Sequence, residues 1–407
     1  MEYKLSEDFF QDPYPYLTKK REHSPIHMLE EHEGQKTWLL TKYEDIDYIL
    51  TDPKKYSSDS RKFMSPEEKA SFFISKEIDS LYGNNMLEVD PPDHGRLRKL
   101  VHKAFTPKII KQMDSRIKEV SLKLIGEIKN KKEFDLINDY AFPLPIIVIS
   151  EILGIPYEDH QKFRVWSNTL IKFDSILHYQ DTPLLQEIQI TAKEFTDYLS
   201  ELFDKRRSNP QEDLISKLVK VEEEGDSLSE SELFSMVVLL IVAGHETTVN
   251  LIGNGLLTLL KNPEKIEELR HNPDLFDAAV EELLRYESPV SMDSRFVAEN
   301  HIYKGVHFEK GDLLLLSLGS ANRDPDVFKN PDQVNFHRES NKHLAFGKGI
   351  HYCLGAPLAR MEGKTALEHF IEELPAISFK EPQQEVDWRE TLLFRGMKSL
   401  SLVCTNP

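Results

Sequence analysis

The sequence predicts a mainly α, helix-dominated α+β fold in which small β-sheets lie at the periphery. From about residue 100 onward, apolar residues recur three and four positions apart, which is the period of an amphipathic helix. Asn-Pro and Gly-x-Pro sequences separate these segments. No Gly/Ser-rich linker, internal repeat or long block of like charge divides the chain, so we expect residues 1–407 to form a single domain.

The periodic segments give the individual elements. Helices are expected over residues 109–129, 142–153, 187–206, 277–286 and 356–374. Strand-like runs occupy residues 36–40, 308–316 and 397–403. These strand-like runs are short and few beside the helices, so we expect small peripheral sheets.

Composition restricts the class of protein. The chain has 51 basic and 69 acidic residues, a formal net charge of -18, which disfavours nucleic acid and anionic membranes as main partners. No signal peptide or anchor is recognisable at the N-terminus. The longest apolar run, residues 236–243, is far shorter than the ~20 residues that cross a bilayer. With only two cysteines, we expect a protein of the reducing cytoplasm.

The longest predicted helix contains a local anomaly. It opens at Ser229, where Glu232 completes a capping box, and it should end near residue 261, before Asn262-Pro263. In its middle, Gly244 and Glu246 interrupt an apolar run, although a buried carboxylate costs free energy unless it is paired. A kinked or amphipathic helix is one interpretation and a functional site is the other. A zinc-protease H-E-x-x-H helix is excluded because residue 249 is valine.

The segment FGKGIHYCLG, residues 346–355, surrounds Cys353 with glycines. A lone cysteine is usually a small buried hydrophobe. A zinc site lacks paired ligands at the required spacing, and no local signature of a cysteine protease is present. A thiolate ligand to iron fits better, because Gly347, Gly349 and Gly355 allow a tight turn close to a flat macrocycle. Backbone N–H groups of such a loop can also tune the sulfur.

This segment resembles the heme-binding loop of the cytochrome P450 family, F-G-x-G-x-H-x-C-x-G, and matches every fixed position. The resemblance extends over essentially the whole chain and looks most like soluble bacterial members that hydroxylate polyketide, macrolide, terpenoid or steroid skeletons. Glu282 and Arg285 match the family's E-x-x-R signature, and the resemblance implies a structural ion-pair cluster completed by Arg338. Taken alone, an i,i+3 pair is commonplace and usually a surface salt bridge.

The resemblance implies the triangular P450 fold and heme b, iron protoporphyrin IX, with Cys353 as the iron ligand. Heme contacts carried over by position are Ala243, Gly244, Phe346, Gly347 and Gly355. For the two propionates, which call for cationic partners, the resemblance assigns His94, Arg98, Arg295 and His351. A solvated basic face is the alternative for His94 and Arg98. We expect Asp90 to cap their helix, with Pro91 in its first turn.

Glu246 and Thr247 match the family's acid–alcohol pair, in which the alcohol holds oxygen or water by a hydrogen bond and the acid relays protons. Gly244 would leave room for dioxygen. The implied enzyme is a monooxygenase that hydroxylates or epoxidises its substrate with O2 and electrons from a redox partner. Alternatives are a hydrogen-peroxide-driven peroxygenase on the same fold, a non-catalytic heme-thiolate binding or sensor protein, and a helical protein without a cofactor.

Substrate and partners follow from family position. An apolar pocket implies a fairly large apolar substrate, such as a polyketide, terpenoid, steroid or lipid. Its expected lining is Met86, Leu170, Phe173, Leu239, Val290, Met292, Leu393 and Phe394, with Ser291, Asp293 and His245 as further polar candidates and residues 175–183 as a lid. A basic strip of Arg96, Lys99, His102 and Lys103 implies an acidic ferredoxin or flavodoxin with its reductase. A merely solubilising strip is the alternative. We expect a monomer.

Overall fold

A computed structural model describes residues 7–32, 34–64, 81, 83, 85–171, 182–223, 228–374, 376–381 and 385–404. The chain divides into two compact units. The first consists mainly of Ser58–Gln112 and Ile146–His245, and the second of Tyr3–Ser57, Met113–Pro145 and Glu246–Pro407. The expectation of a single domain over residues 1–407 stays a prediction.

Helices dominate the described chain. In order they are α1 Glu7–Gln11, α2 Tyr14–His23, α3 Tyr43–Thr51, α4 Asp93–Ala104, α5 Pro107–Lys129, α6 Pro143–Leu153, α7 His160–Ile171, α8 Thr182–Ser208, α9 Leu214–Glu223, α10 Glu230–Lys261, α11 Pro263–His271, α12 Phe276–Tyr286, α13 Leu318–Ala321 and α14 Ala356–Glu373. The helices expected over 109–129, 142–153, 187–206, 277–286 and 356–374 are therefore confirmed, with ends that differ by up to five residues.

The strands lie in the second unit. They are β1 Ile26–His32, β2 Gln35–Leu40, β3 Tyr56–Ser57, β4 Glu133–Asp135, β5 Met292–Val297, β6 His301–Tyr303, β7 Val306–Phe308, β8 Leu313–Ser317, β9 Ile377–Phe379, β10 Asp387–Trp388, β11 Met397–Ser399 and β12 Ser401–Cys404. The largest sheet has the order β1-β2-β8-β5-β3, in which β2 and β8 are parallel. A three-stranded sheet has the order β4-β12-β9, and β10 pairs with β11. Small sheets beside many helices agree with the predicted class.

Two predicted strands are each interrupted. The 308–316 run is wrong as one strand, because Gly311 has φ of +96° and breaks the chain between β7 and β8. The 397–403 run is also wrong as one strand. At Leu400 the carbonyl accepts a hydrogen bond from Leu136 N at 2.9 Å, and the chain then leaves the β10–β11 hairpin to join β4 and β9.

In the first unit, α7 and α8 pack through aromatic side chains, with the Phe163 and Phe195 ring centroids 5.2 Å apart. In the second unit, a core under the five-stranded sheet joins α3 to β5 and β8, and it contains Ile46, Val297 and Leu314. This core fixes β5, the strand that carries Arg295, because Arg295 pairs with Leu314 in the antiparallel register.

The expected start of α4 is wrong. The helix begins at Asp93, and the Asp90 carboxylate does not cap it but accepts hydrogen bonds from Ser58 N at 3.0 Å and Lys62 Nζ at 2.7 Å. The Asp90 backbone carbonyl accepts from His94 N at 3.1 Å. Because Ser58 and Lys62 lie about 30 positions away in the sequence, the local pattern around Asp90 could not show that they bind its carboxylate.

The predicted capping box of α10 is confirmed. Ser229 N donates to Glu232 Oε2 at 2.7 Å, and Glu232 N donates to Ser229 Oγ at 3.2 Å. By length and composition, α10 is apolar enough to cross a membrane, but 67% of its most apolar window is buried in the protein. The core helix of a soluble protein has the same character.

Candidate active site

The Cys353 loop is closed by its own backbone. Cys353 N donates to Phe346 O at 2.9 Å, and Gly347 N donates to Leu344 O at 2.8 Å. Gly347 and Gly349 adopt φ of +65° and +70°, a region that glycine enters without steric cost. A Cβ on Gly349 would also lie 2.2 Å from Leu50 O. The two glycines are therefore required by the turn, which presents the partly exposed Cys353 thiol, a cysteine outside any disulfide.

An ion-pair network supports the aromatic residue of this loop. The Arg360 guanidinium lies 4.5 Å from the Phe346 ring centroid, and its Nε donates to Glu281 Oε1 at 2.6 Å. His343 Nε2 lies 3.2 Å from Glu281 Oε2. Burial acts to raise the pKa of Glu281, but hydrogen bonds and charge from His343 and Arg360 outweigh it and lower this pKa to about 2. Sequence reasoning missed this network, because its members lie on three separate segments.

The E-x-x-R residues form a buried cluster. Glu282 accepts from Arg285 Nε and Nη2, both at 2.8 Å, and from Arg338 Nε at 2.8 and 2.9 Å. Glu282 and Arg285 are 1% and 0% exposed. The pair thus differs from an ordinary surface salt bridge, and the structure brings Arg338 to it as the resemblance implied.

Asn322 joins this cluster to the cysteine loop. Its backbone carbonyl accepts from Arg285 Nη1 at 2.9 Å, while its side-chain Oδ1 accepts from Leu344 N at 2.6 Å. Its Nδ2 donates to Ser288 Oγ at 2.8 Å. Every one of these groups is buried, so the residue acts as a rigid spacer between α12 and the loop.

The middle of α10 has one uncovered face. Ala243 is exposed, and Leu239, Gly244 and Thr247 are partly exposed, whereas His245, Glu246 and Thr248 are buried. Positions 239, 243 and 247 are four residues apart and therefore share one side of the helix. A Cβ on Gly244 would lie 3.2 Å from Ile149 Cδ1, so close packing on α6 is one physical reason for this glycine. The expectation that it leaves room for dioxygen stays a prediction.

Glu246 is a buried acid with a partner. It is 1% exposed and forms an ion pair with Arg389, whose side chain is 26% exposed. Burial raises the pKa of Glu246 above its ordinary value, although the Arg389 charge and the Asn250 amide act to lower it. An acid whose pKa is pulled in opposite directions is suited to accept and release protons.

The predicted propionate residues are placed as follows. His94 and Arg98 lie four residues apart on α4, and His94 is 3% exposed, so burial and the Arg98 charge lower its pKa. Arg295 on β5 forms an ion pair with Asp293 at 2.8 Å and donates to Ser294 O at 2.6 Å. His351 ends the 3₁₀ turn Gly349–His351. Their role at propionates stays a prediction.

Part of the predicted pocket forms one apolar wall in the second unit. Val290 pairs with Phe394 in an isolated antiparallel bridge, and Ser291 N donates to Leu393 O at 2.9 Å. Ser291 Oγ is committed to Leu392 O at 2.6 Å. Met292 and Met86 are buried, Leu239 is partly exposed, and His245 is fully buried. Phe173, residues 175–181 and the Leu170 side chain lie outside what the structure describes.

The predicted basic strip needs one correction. Arg96 is not a free surface cation, because it pairs with Glu232 at the start of α10. Lys99, His102 and Lys103 are exposed, as expected for a strip on the outer face of α4. The strip is therefore smaller by one charge than the sequence suggests.

The donor chemistry fits a heme. A heme-thiolate iron takes a single sulfur from the protein, and Cys353 is a thiol outside any disulfide on a loop whose glycines permit close approach. Within the described ranges, no group of three or more His, Cys, Asp or Glu residues is arranged to hold a metal ion. The residues present thus match a macrocycle-bound iron in ligand type and number.

Loop, ion-pair cluster and helix together define a heme-thiolate protein of the P450 class. The family model "Cytochrome P450" matches residues 19–394. The polyketide biosynthesis cytochrome P450 PksS of Bacillus subtilis is 41% identical over 97% of this chain and 96% of its own. Vitamin D(3) 25-hydroxylase of Pseudonocardia autotrophica is 38% identical over 97% of this chain and 94% of its own.

Solved structures of P450 proteins have the same fold as this chain. That of PksS has a TM-score of 0.90 at 39% identity and full coverage of both chains. P450BioI, solved with a hexadec-9Z-enoic acid-ligated acyl carrier protein, has a TM-score of 0.87 at 36% identity, over 98% of this chain and all of that one. The chain belongs to the cytochrome P450 family and has its fold. It is a heme b-dependent monooxygenase.

Proposed function

We propose that this chain inserts one oxygen atom from O2 into a fairly large apolar substrate, by hydroxylation or epoxidation. The observation that carries the proposal is the closed glycine loop that presents Cys353. The second oxygen atom leaves as water, which requires two electrons from a redox partner and two protons. Delivery of those protons is the task of the protein's own side chains.

The heme, when bound through the Cys353 thiolate, supplies O–O bond cleavage, which electron donation from sulfur favours. Arg295 and His351 would hold propionates, and family position assigns His94 and Arg98 the same role. Ala243, Gly244, Phe346, Gly347 and Gly355 would contact the macrocycle. Arg360, by stacking on Phe346, keeps the aromatic ring of the loop in place.

Thr247 and Glu246 divide the handling of protons. The Thr247 hydroxyl lies on the uncovered face of α10, where it can donate a hydrogen bond toward the reacting oxygen. Glu246 points its carboxylate to Arg389, so it takes a proton from the solvent side and passes it to the threonine side. Each transfer leaves Glu246 ionised until it is protonated again.

The substrate class follows from an apolar wall and from the relatives. Val290, Met292, Leu393 and Phe394 offer hydrocarbon surface, with the neighbouring polar groups of Ser291 and Asp293 committed to internal bonds. Relatives are named for polyketide biosynthesis and vitamin D(3) hydroxylation, and one is solved with a carrier-bound fatty acid. These names support a polyketide, terpenoid, steroid or lipid for this chain.

The electron donor we propose is an acidic ferredoxin or flavodoxin with its reductase. Lys99 and Lys103, with the exposed His102 beside them, give α4 a basic face on a chain of net charge -18. Electrostatic attraction of this kind mainly raises the rate and selectivity of encounter. We further propose a cytoplasmic monomer, since the apolar surface of α10 is mostly buried within the chain.

The absorption spectrum of the reduced protein under carbon monoxide tests the proposal. We expect the red-shifted Soret band of a heme-thiolate, its loss in Cys353→Ala, and its retention in the matched control Cys404→Ala. A red-shifted band in Cys353→Ala would remove the ligand assignment. Protein that stays colourless when heme is supplied would favour a helical protein without a cofactor.

A second experiment tests the acid–alcohol pair. Thr247→Ala should keep the heme-thiolate band but return most consumed oxygen as hydrogen peroxide, because proton delivery fails. Thr247→Ser, which keeps the hydroxyl, should restore coupling to within about twofold of the parent. Full coupling in Thr247→Ala would remove the role of the hydroxyl. Turnover that runs on hydrogen peroxide alone, faster than with O2 and electrons, would instead favour the peroxygenase.

A further inference from the structure

A row of polar residues crosses the otherwise apolar helix α10. Glu246, Asn250 and Asn254 are four residues apart, and all three are buried. Each faces the β10–β11 hairpin, residues 387–399. Glu246 pairs with Arg389, and Asn254 Nδ2 donates to Arg395 O at 2.8 Å. The row is thus the surface on which the hairpin is seated.

The hairpin is shaped to accept this row. A Cβ on Gly396 would lie 2.0 Å from Asn250 Oδ1, so only glycine leaves space for the amide. Gly396 O in turn accepts from Arg389 N at 2.9 Å. The position of Arg389 is therefore set by the same backbone that makes room for Asn250.

The same hairpin carries part of the proposed substrate wall. Leu393 and Phe394 lie between Arg389 and Gly396, and they bond through the backbone to Val290 and Ser291. Arg395 anchors the far side by stacking 3.4 Å over the Trp388 ring and by bonding Glu287 at 3.1 Å. The hairpin thus presents an apolar surface and also carries Arg389, the cation that pairs with Glu246.

Besides the partly exposed Arg389, a buried donor lies near the Glu246 carboxylate. Asn250 lies within reach of the Glu246 carboxylate and acts on it as a side-chain donor that lowers its pKa, although Nδ2 does not reach full hydrogen-bond geometry with any described residue. A buried donor without a partner costs about 1–3 kcal/mol, so it offers an acceptor a place to bind. The carboxylate therefore has two donors within reach, one connected to solvent and one buried.

We propose that Arg389 is a positioning residue that holds the Glu246 carboxylate on the hairpin side of α10, where the carboxylate takes up protons from solvent and passes them on toward Thr247. The inference rests on the proposed role of Glu246 in proton delivery and extends it to the hairpin. For each turnover step, one proton enters at Glu246 from water beside Arg389 and one leaves toward Thr247.

The pKa of Glu246 is set by burial, which raises it, and by nearby groups, which lower it. In the described chain, Arg389 is the charged group that acts on it and Asn250 the polar one. Without Arg389, only the Asn250 amide would oppose the effect of burial on the carboxyl, and a weaker acid transfers its proton more slowly. Removal of Arg389 leaves the buried Glu246 without its cation, and the fold should tolerate this because the carboxyl can take up a proton and become neutral.

Infrared difference spectroscopy of the heme-loaded protein tests this. The carboxylic-acid C=O band of Glu246, assigned by its loss in Glu246→Gln, is followed between about pH 5 and about pH 9. In Arg389→Gln we expect its midpoint to rise by about one pH unit or more, since an opposite charge typically shifts a carboxyl by that amount. Arg389→Lys, which keeps the charge, should stay within about half a unit of the parent.

Lys398→Gln is the matched control. Lys398 is on β11 of the same hairpin and pairs with Asp387 at 2.9 Å, so its loss perturbs the hairpin without touching Glu246. An unchanged midpoint in Arg389→Gln, or an equal shift in Lys398→Gln, would overturn the proposal. The reduced carbonyl band is recorded on the same samples. Its absence in the parent would contradict the proposed function, whereas the Glu246 titration reports on Arg389 alone.

Discussion

Two buried glutamates of the second unit have opposite surroundings. Glu282 on α12 accepts hydrogen bonds from Arg285, Arg338, Asn335 N at 2.9 Å and Asn341 Nδ2 at 3.2 Å. Glu246 on α10 has the partly exposed Arg389 and a nearby amide that does not complete a hydrogen bond. Both carboxylates are 1% exposed, so burial does not distinguish them.

The difference shows what the number of donors does to a buried acid. A carboxylate with all its acceptor sites occupied is fixed in place and in charge, and removing it leaves cations without compensation. A carboxylate with one solvent-connected partner can change its protonation state at moderate cost. The first arrangement suits a structural anchor beneath the cysteine loop, and the second suits proton transfer.

The largest effect is expected from Glu282→Gln. The substitution leaves the guanidinium groups of Arg285 and Arg338 buried without their carboxylate, which typically costs about 3–5 kcal/mol. We expect the free energy of unfolding, measured in guanidinium chloride by circular dichroism, to fall by that amount. The control is Glu281→Gln on the same helix, whose carboxylate is partly exposed and whose loss should cost less. Equal losses would mean that the number of donors does not determine how much a glutamate contributes to the free energy of unfolding.

A third buried glutamate extends the comparison to an acid without a cation. Glu362 on α14 has an Oε2 that makes no hydrogen bond to any described residue, and burial raises its pKa to about 8. Around neutral pH the folded protein therefore holds this carboxyl protonated, whereas the unfolded chain ionises it near 4.5.

The raised pKa of Glu362 makes the free energy of unfolding fall as the pH rises. Between about pH 4.5 and about pH 8 the folded state binds the extra proton, so this group's stabilising contribution is complete below about pH 4.5 and falls by about 1.4 kcal/mol per pH unit as the pH rises. Glu362→Gln lacks that loss, and we expect it to gain about 2 kcal/mol relative to the parent between about pH 6 and about pH 8. Unfolding curves at a series of pH values measure this. Parallel pH profiles for parent and variant would contradict a protonated Glu362.

How much of this arrangement was visible in the sequence depends on the length scale. Periodicity predicted α5 and α12, the local capping pair of Ser229 and Glu232 was read correctly, and Glu246 was recognisable as an anomaly in an apolar run. All of these signals span a few residues. They need no knowledge of what lies across the core.

The partners that determine the protonation of Glu246 and Glu281 could not be predicted from the sequence. Arg389 is 143 positions from Glu246, and Arg360 is 79 positions from Glu281, so no periodic pattern links them. Asp90 failed as a predicted cap for the same reason, because Ser58 and Lys62 bind its carboxylate. The family motif supplied Glu282, Arg285 and Arg338 together, but residues outside the motif required the fold.

The smallest effect on stability is expected from Glu246→Gln, and it is the sharpest test of the contrast with Glu282. The substitution frees only Arg389, which is 26% exposed and can be solvated, while the desolvation cost of a buried carboxylate disappears. We therefore expect the free energy of unfolding to stay within about 1 kcal/mol of the parent, measured beside Glu282→Gln in the same buffer. A loss of about 3 kcal/mol or more would place Glu246 with the structural anchors. In that case the ion pair with Arg389 would hold the hairpin to α10, and the proton route would need another acid.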